Sequence, residues 1–120
     1  MQAAAERDGS GPVRSRLARE PAVQRVLSGY VAGLARDLGL MVRHLDGGRR
    51  AELRRLAHQL RGSGGTYGFP DVSRLAMAVE SACDAGEQLP RVAADVAALA
   101  GLIRRIEGYD PAGEAVARAA

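Results

Sequence analysis

The chain has 120 residues, of which 47% are hydrophobic and 26% charged, a balance that excludes a disordered tail and fits one compact domain burying roughly two thirds of its unfolded surface. Aromatic residues make up 3%, tryptophan is absent, and Ala, Leu, Val and Arg dominate, a palette that points to an all-α fold over a strand-rich one. The net charge is +3, with 17 basic residues; none is lysine, so an arginine at any single site does not by itself signal a need for bidentate geometry.

The single cysteine, Cys83, excludes an internal disulfide and fits a reducing, cytoplasmic setting. Glu6, Arg7 and Asp8 interrupt the apolar run that a signal peptide needs. The most apolar window, Val96 to Ile103, falls far short of the ~20 residues that cross a bilayer, so no membrane partner is expected.

Residues 1–12 are polar, contain glycine and show no periodicity, and are expected to be a flexible leader. Val13 to Arg19 has room for a short extra N-terminal helix, broken at Glu20-Pro21. From Val23, the residues Leu27, Tyr30, Leu34, Leu38, Met41 and Leu45 recur at spacings of three and four, the apolar stripe of a long helix that ends at Asp46-Gly47-Gly48. A second stripe holds Leu53, Leu56, Ala57, Leu60, Gly64 and Tyr67. The third helix opens at Pro70-Asp71, carries Val72, Leu75, Ala76, Val79 and Cys83, and stops at Asp84-Ala85-Gly86. A fourth starts at Pro90 and runs through Val92, Val96, Leu99, Ile103 and Ile106 to Gly108. Four amphipathic helices joined by short Gly/Pro connections predict an antiparallel up-and-down four-helix bundle over residues 13–108. Residues 109–120 are expected to be a flexible tail or a frayed helix.

The segment His58-Gln59-Leu60-Arg61-Gly62-Ser63-Gly64-Gly65-Thr66-Tyr67-Gly68-Phe69-Pro70 concentrates the chemistry. Its glycines miss the spacing of a nucleotide-phosphate loop, no lysine is present, and a helical pattern precedes it where such a loop needs a strand. His44, His58 and Cys83 lack the paired spacing of a zinc site, so no metal is expected. Cys83 falls on a core stripe and reads as an inert buried thiol.

With Leu53, Leu56, Ala57, Leu60 and Gly64 turned inward, His58 falls roughly 140° from the centre of that stripe and should be exposed. Arg54, Arg55, Arg61, Gly62 and Gly65 share the outward side, with Gln59 toward its edge. Helical glycines facing solvent cost up to ~1 kcal/mol each relative to Ala. They clear a shallow flat on which another protein can approach the ring, while the guanidiniums offset negative charge brought to it. An exposed imidazole keeps a large neutral fraction near pH 7 and so has a lone pair for nucleophilic attack. Phosphoryl transfer is mostly positioning and charge neutralisation, and any further parts must come from a partner.

The stretch LRRLAHQLRGSGGTYGFPDVSRLAMAVE resembles the signature of histidine-containing phosphotransfer (HPt) domains of bacterial phosphorelays: Ala-His-x-Leu-Lys-Gly-Ser/Ala, small residues, Gly-Phe or Gly-Ala, then a helix ending Leu-Glu or similar. Ala57, His58, Leu60, Arg61, Gly62, Ser63, Gly64, Gly68, Phe69, Leu75, Ala76 and Glu80 carry the match. The resemblance implies that His58 is the phospho-accepting residue on the second long helix of a four-helix bundle. It further implies that the phosphoryl group is exchanged with receiver-domain aspartates of response regulators, or of a hybrid sensor kinase, and that Mg²⁺ is needed only on the receiver. Arg61 stands where the family usually has Lys and is expected to keep the cationic supporting role. Arg54, Arg55, Gln59, Gly62 and Gly65 are the expected docking surface, and no cofactor or intrinsic kinase activity is expected.

The competing expectation is a receiver-docking protein with the same bundle that carries no phosphate. Nucleic-acid binding is disfavoured despite a pI of 9.7, because arginines are interleaved with acids and no aromatic platform exists. Beginning at Met1 with one domain, the chain reads as a free-standing, monomeric carrier.

Overall fold

A computed structural model describes residues 11–119. The helices are α1 (Gln24–Asp46), α2 (Arg50–Thr66), α3 (Pro70–Asp84), α4 (Leu89–Arg104) and α5 (Pro111–Ala119), and the described residues contain no β-strand beyond one isolated bridge. The first four form the expected up-and-down bundle, each packing on the next and α4 closing back onto α1. The connections that follow them contain Gly48, Gly68, Gly86 and Gly108, which all take positive φ, from 68° to 90°. That left-handed step at the helix terminus is open to glycine without a Cβ clash.

The apolar stripes meet along the bundle axis. Leu34, Leu38 and Met41 from α1, Leu53, Ala57 and Leu60 from α2, Val72, Ala76 and Val79 from α3, and Val92, Val96, Leu99 and Ile103 from α4 are all buried. Leu56, Leu75 and Tyr67, expected on the same stripes, are only partly buried against this core.

Two regions depart from the sequence pattern. Val13 to Arg19 is a bridge and a turn: Val13 pairs in parallel with Ile106, its N–H donating to Arg105 O at 2.8 Å and its carbonyl accepting from Glu107 N at 2.8 Å. The short N-terminal helical element is instead a single 3-10 turn, Pro21–Val23. Most of the leader expected over 1–12 lies outside the described residues, while the Gly11 carbonyl accepts a bond from Arg105 Nε at 3.0 Å.

Residues 109–120, expected to be flexible or frayed, contain helix α5, which lies against α1 with Glu114 and Ala117 buried. Its contact is made by small residues. A Cβ on Gly39 would come within 2.8 Å of the Ala117 Cβ and 2.9 Å of the Arg118 N, and one on Gly113 would meet the Ala35 Cβ at 3.2 Å. Backbones approach closely here because side chains are nearly absent, and a search for large apolar residues at helical spacing does not register such a surface.

Candidate functional site

Helix α2 carries the histidine segment as a continuous helix to Thr66. Two kinds of glycine occur within it. Gly64 is buried, and a Cβ there would lie 2.8 Å from the Ser73 N and 3.1 Å from the Phe69 O, so glycine is what lets the start of α3 come so near α2. Gly62 and Gly65 are exposed, with nothing within 4 Å of a Cβ. Internal packing therefore explains Gly64 and leaves Gly62 and Gly65 without an intramolecular reason. The end of α2 is held by stacking of Tyr30 on Tyr67, centroids 4.2 Å apart, and by a 2.8 Å hydrogen bond between the Tyr30 and Ser63 hydroxyls.

The His58 side chain is 61% exposed, and its Nδ1 lies 2.8 Å from Oε2 of Glu80, whose side chain is only 6% exposed. Glu80 Oε1 accepts from Arg61 Nη1 at 3.0 Å, and Arg54 Nη2 stands 3.5 Å from Oε2. Arg54 also pairs with Asp84, and Ser73 Oγ donates to the Arg61 carbonyl. The hydrogen bond from Arg61 outweighs the effect of burial and, with the contribution of His58, holds the Glu80 carboxyl below the usual carboxylate range. Glu80 is thus an ionised acceptor near pH 7. A carboxylate has no proton to give, so Nδ1 carries the hydrogen of the neutral ring and Nε2 keeps its lone pair.

The sequence pattern alone does not distinguish a solvated Glu80 from one that tethers a neighbouring helix. Glu80 is buried on the α2-facing side of α3 and orients the histidine. The signal that could have found it is its place beside Val79 and Cys83 at the margin of the core stripe, where a carboxylate needs a partner from a neighbouring helix. Of the expected docking residues, Arg54 joins the Glu80 cluster and Gly62 and Gly65 open the surface. Arg55 and Gln59 are exposed on the part of α2 turned away from α3 and make no ion pair or side-chain hydrogen bond among the described residues. Cys83 is buried, and burial pushes its thiol up from the ordinary value.

Among the described residues no group of three His, Cys, Asp or Glu side chains could hold a metal ion, and no helix is long and apolar enough to cross a membrane. A helical bundle that orients one exposed imidazole from beneath and clears the turn beside it is suited to taking an electrophilic group from a bulky donor. The Hpt domain family model matches residues 25–109. The chain belongs to the Hpt domain family, the histidine phosphotransfer domains of two-component phosphorelays. Comparison with curated proteins and with solved structures returned no match.

Proposed function

We propose that His58 accepts a phosphoryl group from the aspartyl phosphate of a receiver domain and passes it to the aspartate of another. The observation that carries this reading is the 2.8 Å contact between His58 Nδ1 and the buried Glu80 carboxylate, on a ring that is itself exposed. The Nε2 lone pair attacks phosphorus, a P–N bond forms as the P–O bond to the aspartate breaks, and the free carboxylate leaves with the electron pair. No proton has to move beforehand. The ring becomes cationic as the bond forms, and its Nδ1–H points at a carboxylate that stabilises this charge. Return transfer retraces the same path, which suits a carrier.

Arg61 and Arg54, held beside the ring by Glu80, offset the charge of the incoming phosphoryl group. Nothing on this surface supplies a nucleotide loop, so the chain acts as a carrier without kinase activity, with Mg²⁺ required on the receiver alone. We place it in the cytoplasm as a monomer, where receivers and hybrid kinases expose their aspartates. Incubation with a phosphorylated receiver should yield a base-stable, acid-labile phosphoprotein, and His58→Gln should abolish the label. Label persisting on the variant would overturn the assignment; equal receiver binding by both forms without transfer would favour a docking protein.

A further inference from the structure

Arg54 is shared between two carboxylates. Its Nε donates to Asp84 Oδ1, and its Nη2 stands 3.5 Å from Asp84 Oδ2 and 3.5 Å from Glu80 Oε2, the oxygen that also meets the His58 ring. Resting on the carrier reading above, we propose that Asp84 is a positioning residue that holds Arg54 back from the phosphoryl group on His58 and so keeps that group easy to pass on.

The place of Asp84 in its helix is the first observation. It is the last residue of α3, where unpaired carbonyls carry the negative end of the helix dipole and an acidic side chain is unfavourable. No basic residue in that turn of α3 compensates it. The side chain is 52% exposed, so core packing does not call for it either. Among the described residues its ion pair is with Arg54, thirty positions away in sequence and one helical turn before His58. Asp84 therefore costs α3 a little stability, and what it gains is a hold on one guanidinium beside the histidine.

The second observation is how the two arginines near the ring are tied. Side chains on a helix lean toward its N-terminus, so the His58 ring leans over the turn that carries Arg54. Arg61 comes from the following turn and donates to Glu80 Oε1 at 3.0 Å, a carboxylate buried beneath the ring. Asp84 rather than Glu80 is the main partner of Arg54, and contributes more to pushing its guanidinium above the ordinary value. Arg54 is thus the arginine whose principal partner is in solvent and open to exchange.

Transfer breaks the aspartyl P–O bond and forms the bond from Nε2 to phosphorus, bringing three anionic oxygens to the ring. Arg54 then has three anions to serve, and each bond kept to Asp84 is one withheld from the phosphoryl group. Asp84 itself lies one turn beyond Glu80 on α3, in solvent that screens its own field, so its leverage runs through Arg54. A carrier that must release what it accepts works best when this hold on the phosphoryl group stays weak.

The test measures the equilibrium constant for phosphoryl exchange between His58 and a phosphorylated receiver, at concentrations too low for the two proteins to stay bound, so that docking affinity does not enter. Asp84→Asn is expected to shift it about fivefold toward phospho-His58, the scale of one exposed ion pair, while melting at or above the wild-type temperature. Arg54→Gln should shift it the other way. In that background, adding Asp84→Asn should change it by less than about twofold. Asp71→Asn removes a carboxylate from the opposite end of α3 and should also stay within about twofold of wild type. An unchanged equilibrium in Asp84→Asn, an equal shift in Asp71→Asn, or a full shift surviving in the Arg54→Gln background would each overturn the role of Asp84 and leave the carrier reading intact. Failure of the wild type to take label from either a phosphorylated receiver or phosphoramidate would overturn both.

Discussion

His58 and Glu80 form a pair of opposite accessibility: the imidazole is 61% exposed and the carboxylate that orients it 6% exposed, with Nδ1 and Oε2 2.8 Å apart. Twenty-two residues separate them in sequence, and the contact exists because α2 and α3 pack closely enough for a short acidic side chain to cross between them. The pair sets both the tautomer and the direction of the ring. It also supplies the negative charge that a forming imidazolium needs.

Glu80→Gln retains an acceptor for Nδ1–H but removes that charge and leaves Arg61 without its ion pair. Transfer from a receiver should slow by about tenfold, the effect of weakening one charge-assisted hydrogen bond by roughly 1–2 kcal/mol. A purely structural role for Glu80 would leave the ring unaffected. Nitrogen chemical shifts of His58 between pH 5 and 9 should therefore show a mixture of tautomers in the variant where the wild type holds Nδ1–H. An unaltered tautomer and transfer rate in Glu80→Gln would show that the carboxylate does not position the ring.

The glycines of α2 should separate by substitution. Gly64→Val pushes a side chain against the Ser73 N and the Phe69 O, backbone atoms that cannot swing aside, and should destabilise the bundle by about 1–3 kcal/mol. Gly65→Ala, with nothing within 4 Å, should stabilise it by up to ~1 kcal/mol through helix propensity. Urea denaturation checks both, and equal destabilisation by the two changes would mean that α2 and α3 are not in the close contact described.

The sequence made the helices legible wherever their contact surfaces consist of large apolar residues. Leu27, Leu34, Leu38 and Met41 follow one period, and all four are buried. Ala35 and Gly39 are buried too, on a side of α1 that the stripe did not include, because α5 covers it with small residues that carry no periodic signal. Exposure of His58 followed from its angle to Leu53, Ala57 and Leu60, a purely local property of one helix. Glu80 could not be placed in that way: whether a carboxylate at the border of a stripe is solvated or paired depends on what the neighbouring helix presents at the same height. The Val13–Ile106 bridge is longer-range still, and Val13 to Arg19 contains nothing that marks its pairing partner.

Cys83 should be inert in the folded protein. It is buried, and burial raises its thiol above the ordinary value despite the nearby Arg50, so little thiolate forms near pH 8 and reagents have poor access to it. Its reaction with a disulfide reagent should be about 100-fold or more slower than that of the unfolded chain and should accelerate in step with unfolding. Rapid labelling without loss of helicity would place the residue at the surface.

The C-terminal helix is anchored by an ionic latch whose pH limits follow from its partners. Arg104 donates to both oxygens of Glu114, at 3.0 Å and 2.6 Å, and the Tyr109 hydroxyl donates to Oε1. The bonds from Arg104 outweigh burial and hold the Glu114 carboxyl below its ordinary range. Burial, with the Glu114 carboxylate beside it, pushes the Tyr109 hydroxyl from 10.0 up to about 12. For Glu114 the folded value is the lower one, so its stabilisation is complete above the ordinary carboxylate pKa and is lost as pH falls through the depressed value. For Tyr109 the folded value is the higher one, so the unfolded chain sheds its proton first and stability declines as pH rises from 10 toward about 12. Glu114→Gln should remove the acid limb of this profile and cost about 2 kcal/mol at pH 7, with amide exchange accelerating along α5 before the rest of the bundle. Gly39→Ala offers a check that involves no charge, since its methyl would meet the Ala117 Cβ and the Arg118 N and should release the same helix at every pH. If Gly39→Ala left α5 as protected as in the wild type, the close approach of α5 to α1 would be wrong, whatever the latch does.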